Sequence, residues 1–137
     1  MSLEFQRDLE QDGLPHDEIQ KRINSSRERI ISAPVVILLS VDMTDMDIYP
    51  DTKRKKAEYL MATQSVANAG MQLLLAAHAE GLGGVWVCSP LFAQETIQRV
   101  LALPSTWEPQ AMFFVGYPVE PPKEKTLKDI KSLTIML

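Results

Sequence analysis

The apolar positions of this chain change period several times, and each change marks an element. Phe5 and Leu9 stand one turn apart in Leu3–Asp12, which reads as a short helix stopped by Gly13. In "LPHDEIQKRINSSRERIISA" Ile19, Ile23 and Ile30 fall on one stripe, with Lys21, Arg22, Glu28 and Arg29 opposite, so a second amphipathic helix is predicted. Pro34 ends it, because the residue before a proline is disfavoured in the α region. "VVILLSV", Val35–Val41, is continuous β-branched and leucine sequence and predicts a strand buried on both faces. The polar "DMTDMDIYPD" follows as a loop.

From Thr52 to Glu80 no proline intervenes, and Leu60, Met61, Ala67, Met71, Leu74–Leu75 and His78 recur at helical spacing. At a rise of about 1.5 Å per residue such a helix is about 43 Å long. That exceeds what one small core needs, so part of it is expected against a partner. "GVWVC" predicts a short strand, "AQETIQRVLAL" a helix with Ile97, Val100 and Leu101 inward, and "QAMFFVGY" another buried strand. "PVEPPKEK" is extended loop, and "SLTIML" has strand composition without a sequence-local partner. The expected fold is α+β, in mixed α/β layers. Val35–Val41, Val85–Cys88 and Ala111–Gly116 share one central sheet, flanked by the Thr52–Glu80 helix.

Composition narrows the function classes. A chain of 137 residues is one domain, and its 45% hydrophobic content supports a buried core. The net charge of −4 disfavours a general nucleic-acid binder. Cys88 stands alone, which excludes an internal disulfide and fits a reducing cytoplasm. The longest apolar run, "PVVILLSV", is shorter than the roughly 20 residues of a membrane span. "MSLEFQRDLEQ" has no signal-peptide apolar core. A cytoplasmic protein with neither membrane nor nucleic-acid partner is expected.

The stretch "EGLGGVWVCSP" raises the question of a phosphate-binding loop. Such a loop needs the order strand, glycines, helix, so that a helix N-terminus meets the phosphate. Here the order is helix, glycines, strand. Gly81 therefore reads as a helix C-cap, and Gly83 and Gly84 as positions of close backbone approach. The better ligand position is the strand end in "VWVCSPLFAQE", where the backbone of Trp86 to Ser89 leaves the sheet.

Other candidates carry less. Cys88 and His78 have no orienting acid, so they read as a small buried thiol and a packed histidine. Two histidines and one cysteine at distant positions support no zinc or iron site. "KRKK", Lys53–Lys56, is a solvated first helical turn. Asp42, Asp45 and Asp47 alternate like calcium ligands but lack the glycine and distal glutamate of a calcium loop, and read as loop solubilisers.

The long stretch "QSVANAGMQLLLAAHAEGLGGVWVCSPLFAQETIQRVLALPSTWEPQAMFFVGYPVEPP" resembles the C-terminal half of the FMN-dependent nitroreductase family. The segments "RDLEQDGLPHDEIQKRINSSRERIISAPVVILLSV", "YPDTKRKKAE" and "STWEP" resemble one branch, the nitroreductase-like C-terminal domain of the coenzyme F420 gamma-glutamyl ligase proteins. The resemblance runs from about Arg7 to Pro122. It implies a central sheet with a long dimer-forming helix, a homodimer, and bound FMN. It also implies ping-pong transfer of electrons or hydride from NAD(P)H to a small organic acceptor, a deazaflavin precursor in the F420 branch.

The resemblance assigns cofactor contacts to Trp86, Val87, Cys88 and Ser89, where backbone groups meet the flavin near its N5. Lys123 and Lys125 in "PPKEKT" fall near the family's basic residues that reach the phosphate, and the choice between them is open. No side chain is implied as a nucleophile. The family's arginine-rich phosphate segment and its "PS-x-x-N-x-Q-P" loop precede the region matched here. Weak or substoichiometric FMN is therefore expected, and a flavin-free binding or assembly module is the alternative.

Overall fold

In a computed structural model, which describes residues 2–120 and 126–135, the run ending in "MFFVG" forms the strand that organises the molecule. In chain order the elements are α1 (Ser2–Gln11), α2 (His16–Ser32), β1 (Val35–Asp42), α3 (Thr52–Ala79), β2 (Gly83–Val87), α4 (Gln94–Val100) and β3 (Trp107–Gly116). Single 3-10 turns occupy Ser89–Phe92 and Ile130–Ser132. The sheet order is β1-β3-β2 and both pairings are antiparallel, with Val35 opposite Val115 and Gly83 opposite Gly116. The three expected strand runs thus share one sheet beside the long helix, in a mixed helix-and-sheet fold.

Side-chain alternation gives the sheet two faces. Phe113 and Val115 point one way, together with their partners Trp86 and Gly84. This face lies under α3, where Gly70 meets Trp86 and Phe113, and Gly84 meets Leu74. Phe113 is fully buried at this contact. Met112, Phe114 and Val87 occupy the other face, on the side of α1 and α2. There α1 and α2 pack on each other, with Leu9 and Ile19 buried.

Both ends of α3 follow from local chemistry. The Asp51 side chain accepts from the backbone N–H of Arg54 at 2.9 Å, an N-cap that satisfies one orphan donor. At the other end Gly81 adopts φ +75, the left-handed conformation expected for it. Its N–H donates to His78 O at 3.0 Å, and the N–H of Leu82 to Ala77 O at 2.9 Å, which is the Schellman closure.

Several expectations are corrected. Val35–Val41 is not buried on both faces: β1 is an edge strand, and Val35 and Val36 are 51% and 42% exposed. Cys88 is not the last residue of its strand, because β2 ends at Val87 and Cys88 opens the 3-10 turn. It is exposed rather than buried, since strand alternation no longer aims it at the core. His78 is likewise exposed, in the last turn of α3. Val100 and Leu101 point outward at 70% and 55% exposure; α4 has only seven residues, so Leu101 lies at its cap and only Ile97 reaches the core. The terminal "SLTIML" forms no strand within its described part, where the 3-10 turn reaches Ser132 and a turn follows at Leu133.

Candidate functional site

The end of β2 sends its residues to both faces of the sheet. Trp86 stays on the α3 side, its ring 4.9 Å from that of Phe113 in an edge-to-face arrangement. Its Nε1–H donates to Cys88 Sγ at 3.0 Å, which orients the thiol. Val87, Cys88 and Ser89 line a cavity of about 390 Å³ on the opposite side. The structure therefore brings three of the four expected strand-end residues together and places Trp86 behind them. Lys123 and Lys125 lie outside the described residues.

The cavity is built from distant parts of the chain. Phe5 and Leu9 of α1 and Ile23 and Ile30 of α2 form one wall. Val87 and Phe114 of the sheet form the other, and Phe92 and Ala93 close one end. These surfaces are apolar, as in most small-molecule sites, and the volume lies within the roughly 300–1,000 Å³ of such sites. Charge is confined to a few positions: Glu4 and Asp8 from α1, Asp12 from the turn that follows it, and Arg29 from α2. Thr96 Oγ1 donates to the Glu4 carboxylate and so ties α4 to α1 across the site.

Sequence reasoning reached Val87–Ser89 through the strand-to-helix pattern. It missed the far wall, because Glu4 and Thr96 are 92 residues apart and no local period joins them. Phe92 and Ala93 were closer to hand, in the same quoted stretch as Cys88.

A second polar cluster lies across the molecule. Tyr59 donates from its hydroxyl to Glu108 Oε2 at 2.9 Å, and the buried Gln110 approaches the same hydroxyl. Burial, and then the hydrogen bond to Glu108, raise the Tyr59 hydroxyl above its ordinary range. Asp42 accepts from the hydroxyl and N–H of Thr44 and from the hydroxyl of Thr106, and these bonds hold its carboxyl below the usual value. Among the described residues no group of three or more His, Cys, Asp or Glu is placed to hold a metal ion. No helix among them is long and apolar enough to cross a membrane.

Known proteins share this arrangement. The Nitroreductase family profile matches residues 4–117, from α1 through β3. A BluB-like flavoprotein from Clostridium difficile 630 superposes with a TM-score of 0.70, at 19% identity, over 99% of this chain and 71% of its own. A provisionally named oxidoreductase from Bacteroides fragilis NCTC 9343 gives 0.62 at 23% identity, over 79% of this chain and 46% of its own. A provisionally named NADH dehydrogenase/NAD(P)H nitroreductase from Parabacteroides distasonis ATCC 8503 gives 0.55 at 25% identity, over 90% and 62%. The chain thus spans less than two thirds of the length of two of these three proteins. With 4–117 matched and the same helices around the same sheet, the chain belongs to the nitroreductase family.

Proposed function

We propose that the protein acts as an FMN-dependent oxidoreductase of nitroreductase type, moving reducing equivalents from NAD(P)H to a small organic acceptor. The observation that carries this reading is the convergence of Val87, Cys88 and Ser89 on an apolar cavity about 390 Å³ in volume. Its walls suit a planar ring, with Val87 and Phe114 on one side and Leu9 and Ile23 on the other. β2 is also a sheet edge, so its outward N–H and C=O groups are available to the polar rim of such a ring. When bound there, FMN would supply hydride uptake and release; the chain's part is to orient the ring and exclude water.

The phosphate fits less well. Arg29 is the one cation among the described lining residues, against three carboxylates. In this reading Lys123 or Lys125 meets the phosphate. The flavoprotein and NAD(P)H nitroreductase names of two structural neighbours support the flavin and the donor. The F420-related resemblance supports a deazaflavin precursor among the acceptors.

The same reading makes the protein a cytoplasmic homodimer. Leu60, Met61, Met71 and Leu75 are exposed along α3, a helix whose buried residues are only Glu58, Ala62 and Gly70. A second copy on this face would bury well over about 1,000 Å². Sedimentation as a monomer at micromolar concentration would count against it.

Titration of FMN, followed by its fluorescence, tests the cofactor. Quenching on binding is expected, weakened by Lys123→Ala or Lys125→Ala and by Ala93→Trp, which fills the cavity. Binding that ignores all three places the flavin elsewhere. The acidic lining favours one alternative, a family member that serves as a flavin-free binding or assembly module. A protein that is colourless and takes up no FMN would establish that reading.

A further inference from the structure

The two N-terminal helices differ from the other two in what they pack on. α3 packs on β1 and β2, and α4 on β3, whereas α1 and α2 pack chiefly on each other. Gly13, at φ +76, turns the chain between them, and the N–H of Leu14 donates to Leu9 O at 3.2 Å. Phe5, Leu9, Ile23 and Ile30 of this pair line the cavity of about 390 Å³, with Val87 and Phe114 of the sheet on its other side. Segments whose apolar contacts lie mostly among themselves open at lower cost than those interlocked with the core.

One stretch of chain joins the pair to the sheet. Ala33 leaves α2 in an extended conformation, φ −67 and ψ 127, and Pro34 leads into β1. Pro34 lies against Gly116, where an added Cβ would stand 2.9 Å from its Cγ. The proline ring fixes its own φ, so rotation falls to Ala33. At α4 the pair is held again, because Thr96 Oγ1 donates to the Glu4 carboxylate. The N-terminal amine, then Thr96, and more weakly the Arg99 guanidinium keep that carboxyl below its usual range, so it remains an anionic acceptor. From this division of contacts we propose that α1 and α2 form one hinged lid over the cavity, turning at Ala33 and latched to α4 through Glu4 and Thr96. Opening uncovers Val87, Cys88 and Ser89 to a flat ligand, and closing shuts water out. The lid belongs to the chain whatever the cavity holds, so it stands or falls apart from the oxidoreductase reading.

Native-state hydrogen exchange on the full chain, with no ligand added, tests the lid. The backbone amides of residues 7–10 and 22–30 are expected to open together, about a hundredfold more often than those of β3. Thr96→Val removes the donor at nearly constant volume. It should raise the shared opening about tenfold without moving β3, and Thr96→Ser should restore the parent behaviour. Exchange of the two helices only together with β3 overturns the lid, as do separate openings for α1 and α2. A Thr96→Val protein whose helices open no more than the parent's, or a serine that restores nothing, refutes the latch. If Thr96→Val speeds β3 equally, the hydroxyl supports the whole fold and the latch is again refuted.

Discussion

Replacing Gly70 by alanine sets two well-calibrated effects against each other. In a helix interior alanine is favoured over glycine by about 0.8–1 kcal/mol, so on propensity alone α3 should gain stability. A Cβ at this position, however, would stand 2.7 Å from Trp86 Cζ3 and 2.8 Å from Phe113 Cζ. Carbon atoms pack at about 3.5–4.0 Å, so about 1 Å of displacement must be found. Neither ring can supply it. Phe113 is fully buried in the central strand, and Trp86 is held edge-on against it and by its bond to Cys88. The helix must lift instead, opening its contacts with both β1 and β2.

Overpacking of this kind costs about 1–3 kcal/mol, which less the propensity gain leaves an expected net loss for Gly70→Ala of about 0–2 kcal/mol. Gly84→Ala is the matched control. Its Cβ would meet Leu74 Cδ2 at 2.5 Å, but that atom ends a flexible side chain, and a rotamer change of about 1 kcal/mol accommodates it. Urea unfolding followed by tryptophan fluorescence, with Ala69→Gly measuring local helix propensity, separates the terms. If Gly70→Ala is more stable than the parent by the full propensity gain of about 0.8–1 kcal/mol, the account of this contact is wrong.

Other substitutions probe the ends and edges of the fold. Gly81→Ala places a Cβ at φ +75 and should cost about 1–2 kcal/mol in the same unfolding assay. Ile97→Ala should cost about 2–4 kcal/mol, because Ile97 is the buried residue of α4, while the exposed Leu101→Ala should cost less than about 1. The backbone N–H of Arg54, and then its side chain, lower the carboxyl of Asp51 below its usual value. A folded value below the unfolded one gives stability that is fully present above about pH 4 and is lost as pH falls through the folded value. Asp51→Ala should therefore melt earlier than the parent near neutrality, with the two melting curves converging in strong acid. Curves that stay parallel across that range would show that the cap contributes nothing.

The elements with a strong local period were legible in the chain, and the placements set by distant partners were not. "AMFFVG" reads as a buried strand because it is one, at the centre of the sheet with both neighbours paired. "VVILLSV" has the same composition yet lies at an edge, and composition carries no record of strand order. Gly70 reads as a flaw in a long helix until Trp86 and Phe113 are seen against it. Val100 and Leu101 continue the apolar stripe of Ile97, but the helix stops after two turns and Ala102 turns to φ 50, so the stripe leaves the core. At the site, Val87 to Ser89 were legible as a strand end. The α1 wall, which supplies much of the charge, was not, because only the folded backbone brings Glu4 beside Thr96.

Of the three described strands, the central one is also the last to be synthesised. β1 pairs with β3 across most of the chain, Val35 with Val115 and Asp42 with Trp107, and among the described residues β2 pairs with nothing else. On a ribosome, therefore, both outer strands emerge before the strand that joins them, and the sheet cannot begin to close until residues 107–116 have left the exit tunnel. Pairing over such separations is slow, because most of the loop-closure entropy is lost before any ladder bond forms. In the interval "VVILLSV" is an apolar segment with free edges, the kind that associates with its copies. Chains cut short before Trp107 should therefore aggregate rather than fold, and dependence on a chaperone should end abruptly once β3 is complete.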